Sequence, residues 1–234
     1  MERWTKDMLE SRTILSERPL ADEEEASRPT GLLITCASNC FAPALLEKQL
    51  APGRWYVHRT PGNILPPYGT GYQVEENLIA QAVASWQVRM IVVCGHCPCG
   101  VMKRLLDADT LADDIVLRNW LTHAEAVHRL WGPASAEVHQ LRRAVECNVR
   151  LQLDHLRTYP MVAAALAQQR LQLLPWLHDA ATGELFYPAT SQEPFERRAV
   201  LHPDHNHGLR SELIPKRSSC PLPRVNDPRK LYLA

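Results

Sequence analysis

The sequence predicts an α/β fold, a mainly parallel central sheet flanked by helices. Three observations carry that prediction. Two short apolar runs, Gly31-Leu32-Leu33-Ile34-Thr35-Cys36 and Met90-Ile91-Val92-Val93-Cys94, are rich in β-branched residues and read as strands buried on both faces, the parallel-sheet type. Between them, Leu78, Ile79, Ala82, Val83 and Trp86 share one helical face, and strand, helix, strand in this order argues for a right-handed crossover. In a mostly helical second half, Val138, Leu141, Val145, Val149, Leu153 and Leu156 recur every three or four residues, the mark of one long amphipathic helix.

Taken in order, residues 1–30 are polar and charged, with a helix predicted over residues 4–15, and read as an N-terminal arm that packs on a neighbouring subunit or is partly mobile. Residues 31–190 form the folded domain. Its first strand is the run ending at Cys36, and Pro52-Gly53 leads into a second, Arg54-Trp55-Tyr56-Val57-His58. The helical face and the third strand follow, then the long helix, then a new helix begun by Tyr159-Pro160, with Pro near its first turn. Residues 171–177 read as a strand, which Ala181-Thr182-Gly183-Glu184 turns into Leu185-Phe186-Tyr187 as a hairpin. Residues 191–234 fill with Pro, His, Arg and Ser and read as a poorly ordered C-terminal tail.

The bulk composition excludes several classes. The chain has 234 residues, 45% of them hydrophobic, enough to bury a sizeable core. Lys+Arg and Asp+Glu both number 26, which leaves no electrostatic footprint for nucleic acid or for an anionic membrane. No apolar run approaches the roughly 18 residues of a membrane span. The N-terminus carries the acidic run Asp22-Glu23-Glu24-Glu25 and lacks the basic-then-apolar order of a signal peptide, so a cytoplasmic location is expected. Five of the seven cysteines fall in two short clusters, which in a reducing compartment points to metal or redox chemistry before disulfides. Cys147, alone in a helical pattern, reads as a small buried hydrophobe, and Cys220 in the tail carries no signal.

The clusters are Cys36-Ala37-Ser38-Asn39-Cys40, at the end of the first strand, and Cys94-Gly95-His96-Cys97-Pro98-Cys99-Gly100, at the end of the third. In an open α/β sheet ligands gather at the carboxyl ends of strands, where both clusters meet. His-x-x-Cys brings an imidazole and a thiolate within reach of one metal, and a thiolate from the neighbouring strand completes a Cys₂His set. Soft thiolates with imidazole select zinc, and three protein ligands leave a fourth position open, as in catalytic sites. On spacing alone, two buried thiols beside a hydrogen-bonded His are the commoner reading, by about two to one over metal binding.

The motifs resemble those of the β-class carbonic anhydrases. That family carries Cys-x-Asp-Ser-Arg after its first strand and Gly-His-x-x-Cys-Gly after its third. Gly95-His96-Cys97-Pro98-Cys99-Gly100 matches the second motif in full, and Cys36 matches the start of the first. Arg59-Thr60-Pro61-Gly62-Asn63-Ile64-Leu65-Pro66-Pro67-Tyr68 is similar to the family's Arg-Asn-Ala-Gly-Asn-hydrophobic-Val-Pro-Pro segment. Asn148-Val149 with Leu156-Arg157-Thr158-Tyr159-Pro160 resembles its later helical region, and Trp176-Leu177-His178-Asp179 with Thr182-Gly183-Glu184-Leu185 resembles its final hairpin. The resemblance implies Zn²⁺ held by Cys36, His96 and Cys99, and interconversion of CO₂ and bicarbonate through a water that the metal acidifies. It also implies a homodimer or a higher homo-oligomer with the site near the subunit interface.

The match fails at one place. The family's Asp position holds Ser38, its Arg position holds Cys40, and Asn39 lies between. Loss of both together is consistent, because either survivor would be a partly buried unpaired charge. Ser38 keeps hydrogen-bonding capacity but carries no charge, and loss of one well-placed polar group commonly costs about 10² to 10³ in rate. Weak or altered hydration is the first expectation. A catalytically inactive zinc-binding scaffold or CO₂/bicarbonate-binding module is the second. In a third, Cys40, four residues after Cys36, becomes a further zinc ligand, or pairs with Cys97 in redox chemistry. Elsewhere, His58, His123, His128, His139, His155 and His178 read as surface or capping residues, Arg142-Arg143 as an exposed helix face, and Trp55 and Trp86 as core. His202-Pro203-Asp204-His205-Asn206-His207 reads as solvated tail, and Pro66-Pro67-Tyr68-Gly69 as a turn which the resemblance sets at the site entrance.

Overall fold

The computed structural model describes residues 28–38, 55–107, 114–131, 138–189 and 193–200. The expected N-terminal helix, the entry Pro52-Gly53, Asn39, Cys40, Cys220 and the histidine-rich tail segment lie outside the described residues.

Strand β1 (Gly31–Cys36) is buried at every position, because it is sandwiched between β2 (Trp55–Thr60) and β3 (Met90–Cys97), both parallel to it. Between β2 and β3 runs helix α1 (Gln73–Ala80), which widens into a π turn over Gln81–Ser85. Its Leu78, Ile79, Ala82 and Val83 are buried, as the helical spacing requires. Strand β3 is longer than the apolar run that announced it. Its last residues are Gly95, His96 and Cys97, so the histidine sits inside the strand.

Three short helices follow: α2 (Gly100–Leu106), α3 (Ile115–Leu121) and α4 (Glu125–Trp131). Helices of seven residues complete barely two turns, too few for their periodicity to stand out in the sequence. Helix α5 (Val138–Arg157) is the long amphipathic helix, and α6 (Pro160–Ala167) begins at the expected proline. Strand β4 (Gln172–Asp179) then pairs in parallel with β3, and β5 (Glu184–Tyr187) folds back antiparallel on β4 as the predicted hairpin.

One element corrects the sequence reading. Glu196–Val200 forms a strand, β6, antiparallel to β5 with a register shift at Leu185/Phe186, so the first part of the expected tail is an edge strand. Its alternation is weak because an edge strand buries little. Phe195 just before it is buried, and Arg197 pairs with Glu184 at 2.8 Å. Among the described residues the sheet runs β2-β1-β3-β4-β5-β6.

The main core lies between this sheet and α5. Leu32, Ile34, Ile91 and Val93 meet Val145, Val149, Leu153 and Leu156 there. On the other face a smaller cluster gathers Leu33, Val92, Cys94, Trp176 and Leu185. Trp55 and Trp86, expected in the core, are half-buried and pack at its margin. No described helix is long and apolar enough to cross a membrane.

Candidate metal centre

The carboxyl ends of β1 and β3 deliver the site. Cys36 is the last residue of β1, His96 lies near the end of β3, and Cys99 caps the N-terminus of α2. Their ligand atoms all lie within 4.8 Å of one another, and the three residues are buried at 0%, 0% and 1% exposure. The two sulfurs are 4.0 Å apart, well beyond a disulfide bond, and both are free thiols.

Backbone amides converge on the sulfurs. The amides of Ser38 and Gly62 each donate to Cys36 Sγ at 3.3 Å. Gly62 arrives from the turn Pro61–Asn63 that follows β2, where it holds φ +70°. The hydrogen bond from Cys99, with help from His96 and these two amides, pulls the Cys36 thiol down to about 4 against the opposing effect of burial. Cys99 is pushed up in turn, first because Cys36 takes the shared charge and then by burial, although the Met102 and Val101 amides oppose this.

This donor set fits a soft divalent cation. Two buried thiolates at 4.0 Å repel one another, and a bound cation would compensate that charge. An imidazole and two thiolates suit zinc and leave one coordination position for a small molecule.

The structure brings together Cys36, His96 and Cys99 and leaves the other cysteines out. Cys94 faces the opposite side of the sheet beside Trp176, and burial pushes its thiol up. Cys97 is buried near Asp179, Arg142 and Glu146, and burial raises its thiol first, with Asp179 adding. Ser38 is half-buried next to the centre through its main chain, whereas Cys40 lies outside the described residues.

Several residues near the site correct the sequence reading. His178 is buried at 5% exposure and stands opposite His96 in the β3–β4 register. Burial, then the neighbouring His96, lowers it to about 4. His155 is half-buried, with Nδ1 placed 2.7 Å from the Leu65 carbonyl and 3.1 Å from Gln152 Oε1. Both partners are acceptors, so Nδ1 carries the proton. Arg142 is half-buried, pairs with Glu146 at 3.0 Å and covers the Phe186 ring at 4.0 Å.

Gly62, Asn148 and Gln152 were missed as site-supporting residues. Asn148 Nδ2 donates to the Gly62 carbonyl at 2.9 Å, Gln152 Nε2 donates to Asn148 Oδ1 at 2.9 Å, and the Leu65 amide donates to Gln152 Oε1 at 2.8 Å. The available signal was a polar stripe at helical spacing, Asn148, Gln152 and His155, beside the apolar stripe of α5. Of the turn expected at the site entrance, Pro66 is buried and accepts from Tyr159 Oη at 2.8 Å, while Tyr68 is exposed.

Comparison with known proteins agrees with this picture. Residues 31–185 match the family model described as carbonic anhydrase. A carbonic anhydrase of Synechococcus elongatus is 35% identical over 175 residues, covering 73% of this chain and 64% of that protein, so the chain spans less than two thirds of that relative's length. A carbonic anhydrase of Pseudomonas aeruginosa is 38% identical over 159 residues, covering 67% of this chain and 72% of that protein. The solved structure of the β-carbonic anhydrase CcaA superposes with a TM-score of 0.69 at 29% identity, covering 85% of this chain and 99% of that one. The matched segment contains both strand ends and all three residues of the buried cluster, and the chain belongs to the β-class carbonic anhydrase family.

Proposed function

We propose that the chain is a zinc enzyme that interconverts carbon dioxide and bicarbonate. The observation that carries this reading is the buried Cys36, His96 and Cys99 cluster, in a chain of this family. Zinc, when bound, acidifies a water and polarises oxygen atoms of a small substrate.

The chain's own residues set the conditions. Cys36, His96 and Cys99 hold the metal. The Ser38 and Gly62 amides draw electron density from Cys36 Sγ, so a metal held there stays more electrophilic than one with two bare thiolates. Burial of all three donors keeps bulk water away from the sulfurs. Ser38 stands where the family has an Asp, and its hydroxyl orients a hydrogen bond without supplying negative charge. Cys40 stands where the family has the Arg partner. We therefore assign a rate well below that of a site with the charged pair, by about 10² to 10³.

The chain works as a homodimer or larger homo-oligomer on this reading. Ile115, Val116 and Leu130, exposed at 59%, 78% and 69%, supply apolar surface for a second copy. Five free thiols among the described residues suit a reducing cytoplasm.

Zinc content and CO₂ hydration measured by stopped-flow on one purified sample test the proposal. The expected result is about one zinc per chain and a slow hydration rate that vanishes, with the metal, in His96→Ala. A stable metal-free protein, or a zinc-loaded one with no hydration above background, overturns it.

A further inference from the structure

We propose that Asn148 and Trp120 are positioning residues that aim the Gly62 amide at Cys36, and so set how tightly and how electrophilically this centre holds its metal. The proposal rests on the metal reading of the Cys36, His96 and Cys99 cluster.

The argument starts from the peptide plane. Gly62 N–H belongs to the Pro61–Gly62 peptide, and in a planar trans peptide the carbonyl and the N–H point in opposite directions. Whatever holds the Pro61 carbonyl therefore sets the direction of the Gly62 N–H. Trp120 Nε1, from α3, donates to that carbonyl at 2.9 Å, and the Ile64 amide closes the turn on it at 3.5 Å. On the far side of the plane the Gly62 N–H reaches Cys36 Sγ at 3.3 Å.

The next peptide is held as firmly. Asn148 Nδ2, from α5, donates to the Gly62 carbonyl at 2.9 Å. Asn148 is fully buried, and its own Oδ1 is fixed by Gln152, which also accepts from the Leu65 amide. Two helices that contribute no metal-binding side chain thus grip both carbonyls that flank Gly62. Gly62 itself sits at φ +70°, one of several conformations open to a glycine, so the anchored carbonyls on either side select it. Removing either grip frees the turn to rotate its N–H away from the sulfur. Partners of this kind typically alter metal affinity by about 10- to 100-fold.

The test compares wild type, Asn148→Ala and Trp120→Phe. Each is titrated with zinc against a chromophoric chelator, then loaded with Co²⁺ for its thiolate-to-metal charge-transfer band. Trp120→Phe keeps an aromatic six-membered ring at this half-buried position and removes the N–H with the rest of the pyrrole ring, so it decides the matter even if Asn148→Ala does not fold. The expected result is a 10- to 100-fold loss of zinc affinity in Asn148→Ala and a loss of up to about tenfold in Trp120→Phe. In both, the band moves to longer wavelength, because a sulfur that loses a donated hydrogen bond releases its electrons more easily. A purely structural role would lower the melting temperature and leave the band in place. Folded variants with wild-type affinity and an unmoved band overturn the inference, whereas a wild type that takes up neither metal overturns the metal reading instead.

Discussion

The main-chain amide of Gly62 reaches the sulfur of Cys36 at 3.3 Å across 26 residues of sequence, and it does so from a left-handed turn. A Cβ at position 62 would stand 2.9 Å from both Met102 Cε and Val101 Cγ1, at φ +70°. Gly62→Ala is therefore expected to destabilise the fold by about 1–2 kcal/mol from the backbone conformation. Zinc affinity falls with it, because the turn must shift away from α2 and carries the amide along. Urea unfolding and a zinc titration on the same variant check both effects.

Gly95 makes room for α5 on β3, immediately before His96. A Cβ there would lie 2.6 Å from Val145 Cγ1 and 2.8 Å from Val149 Cγ2. Gly95→Ala should cost about 1–3 kcal/mol by overpacking. Adding Val145→Ala should recover part of that loss, so that the double variant is more stable than the sum of the two singles. Strict additivity in thermal unfolding would mean that the helix and strand yield at this contact.

Ser38→Asp together with Cys40→Arg is expected to raise CO₂ hydration by at least about tenfold. The introduced carboxylate would accept a hydrogen bond from a water at a bound metal, and the guanidinium would keep that carboxylate ionised and in place. Ser38→Asp alone should gain less or lose stability, since an unpaired carboxylate is repelled by two thiolates. Four proteins of equal zinc content, compared by stopped-flow, give the double-mutant cycle. A double variant that folds, holds zinc and gains nothing would show that other groups already fill the role of the pair.

His155 makes stability depend on pH in a definite direction. Burial lowers its basicity below the ordinary 6.5, with the Leu65 carbonyl opposing. Below pH 6.5 the unfolded chain takes up a proton at this position that the folded chain refuses, so stability falls as pH falls and levels off above 6.5. Relative to His155→Gln, the wild type should lose more melting temperature between pH 7 and pH 5, with metal content matched. Parallel curves for the two proteins would assign the acid sensitivity elsewhere.

Local pattern determined much of this protein. Runs of adjacent β-branched residues announced β1 and β3, a 3.6-residue period announced α5, and the spacing His96-Cys97-Pro98-Cys99 put one donor of the centre in the end of β3 and a second at the helix cap just after it. Cys36 joined them because parallel strands present their carboxyl ends at the same edge of a sheet. Tertiary structure alone decided what supports those donors. The bonds from Gly62 to Cys36, from Trp120 to Pro61 and from Asn148 to Gly62 span 26, 59 and 86 residues, and no local period reports a partner at that range. Asn148, Gln152 and His155 occupy positions on α5 that read equally well as a solvated face. Whether such a stripe meets water or the carbonyls and amides of a turn depends on which segment the fold lays across it. That is settled by packing over the whole domain, because a buried polar group persists only where another element brings its hydrogen-bond partner.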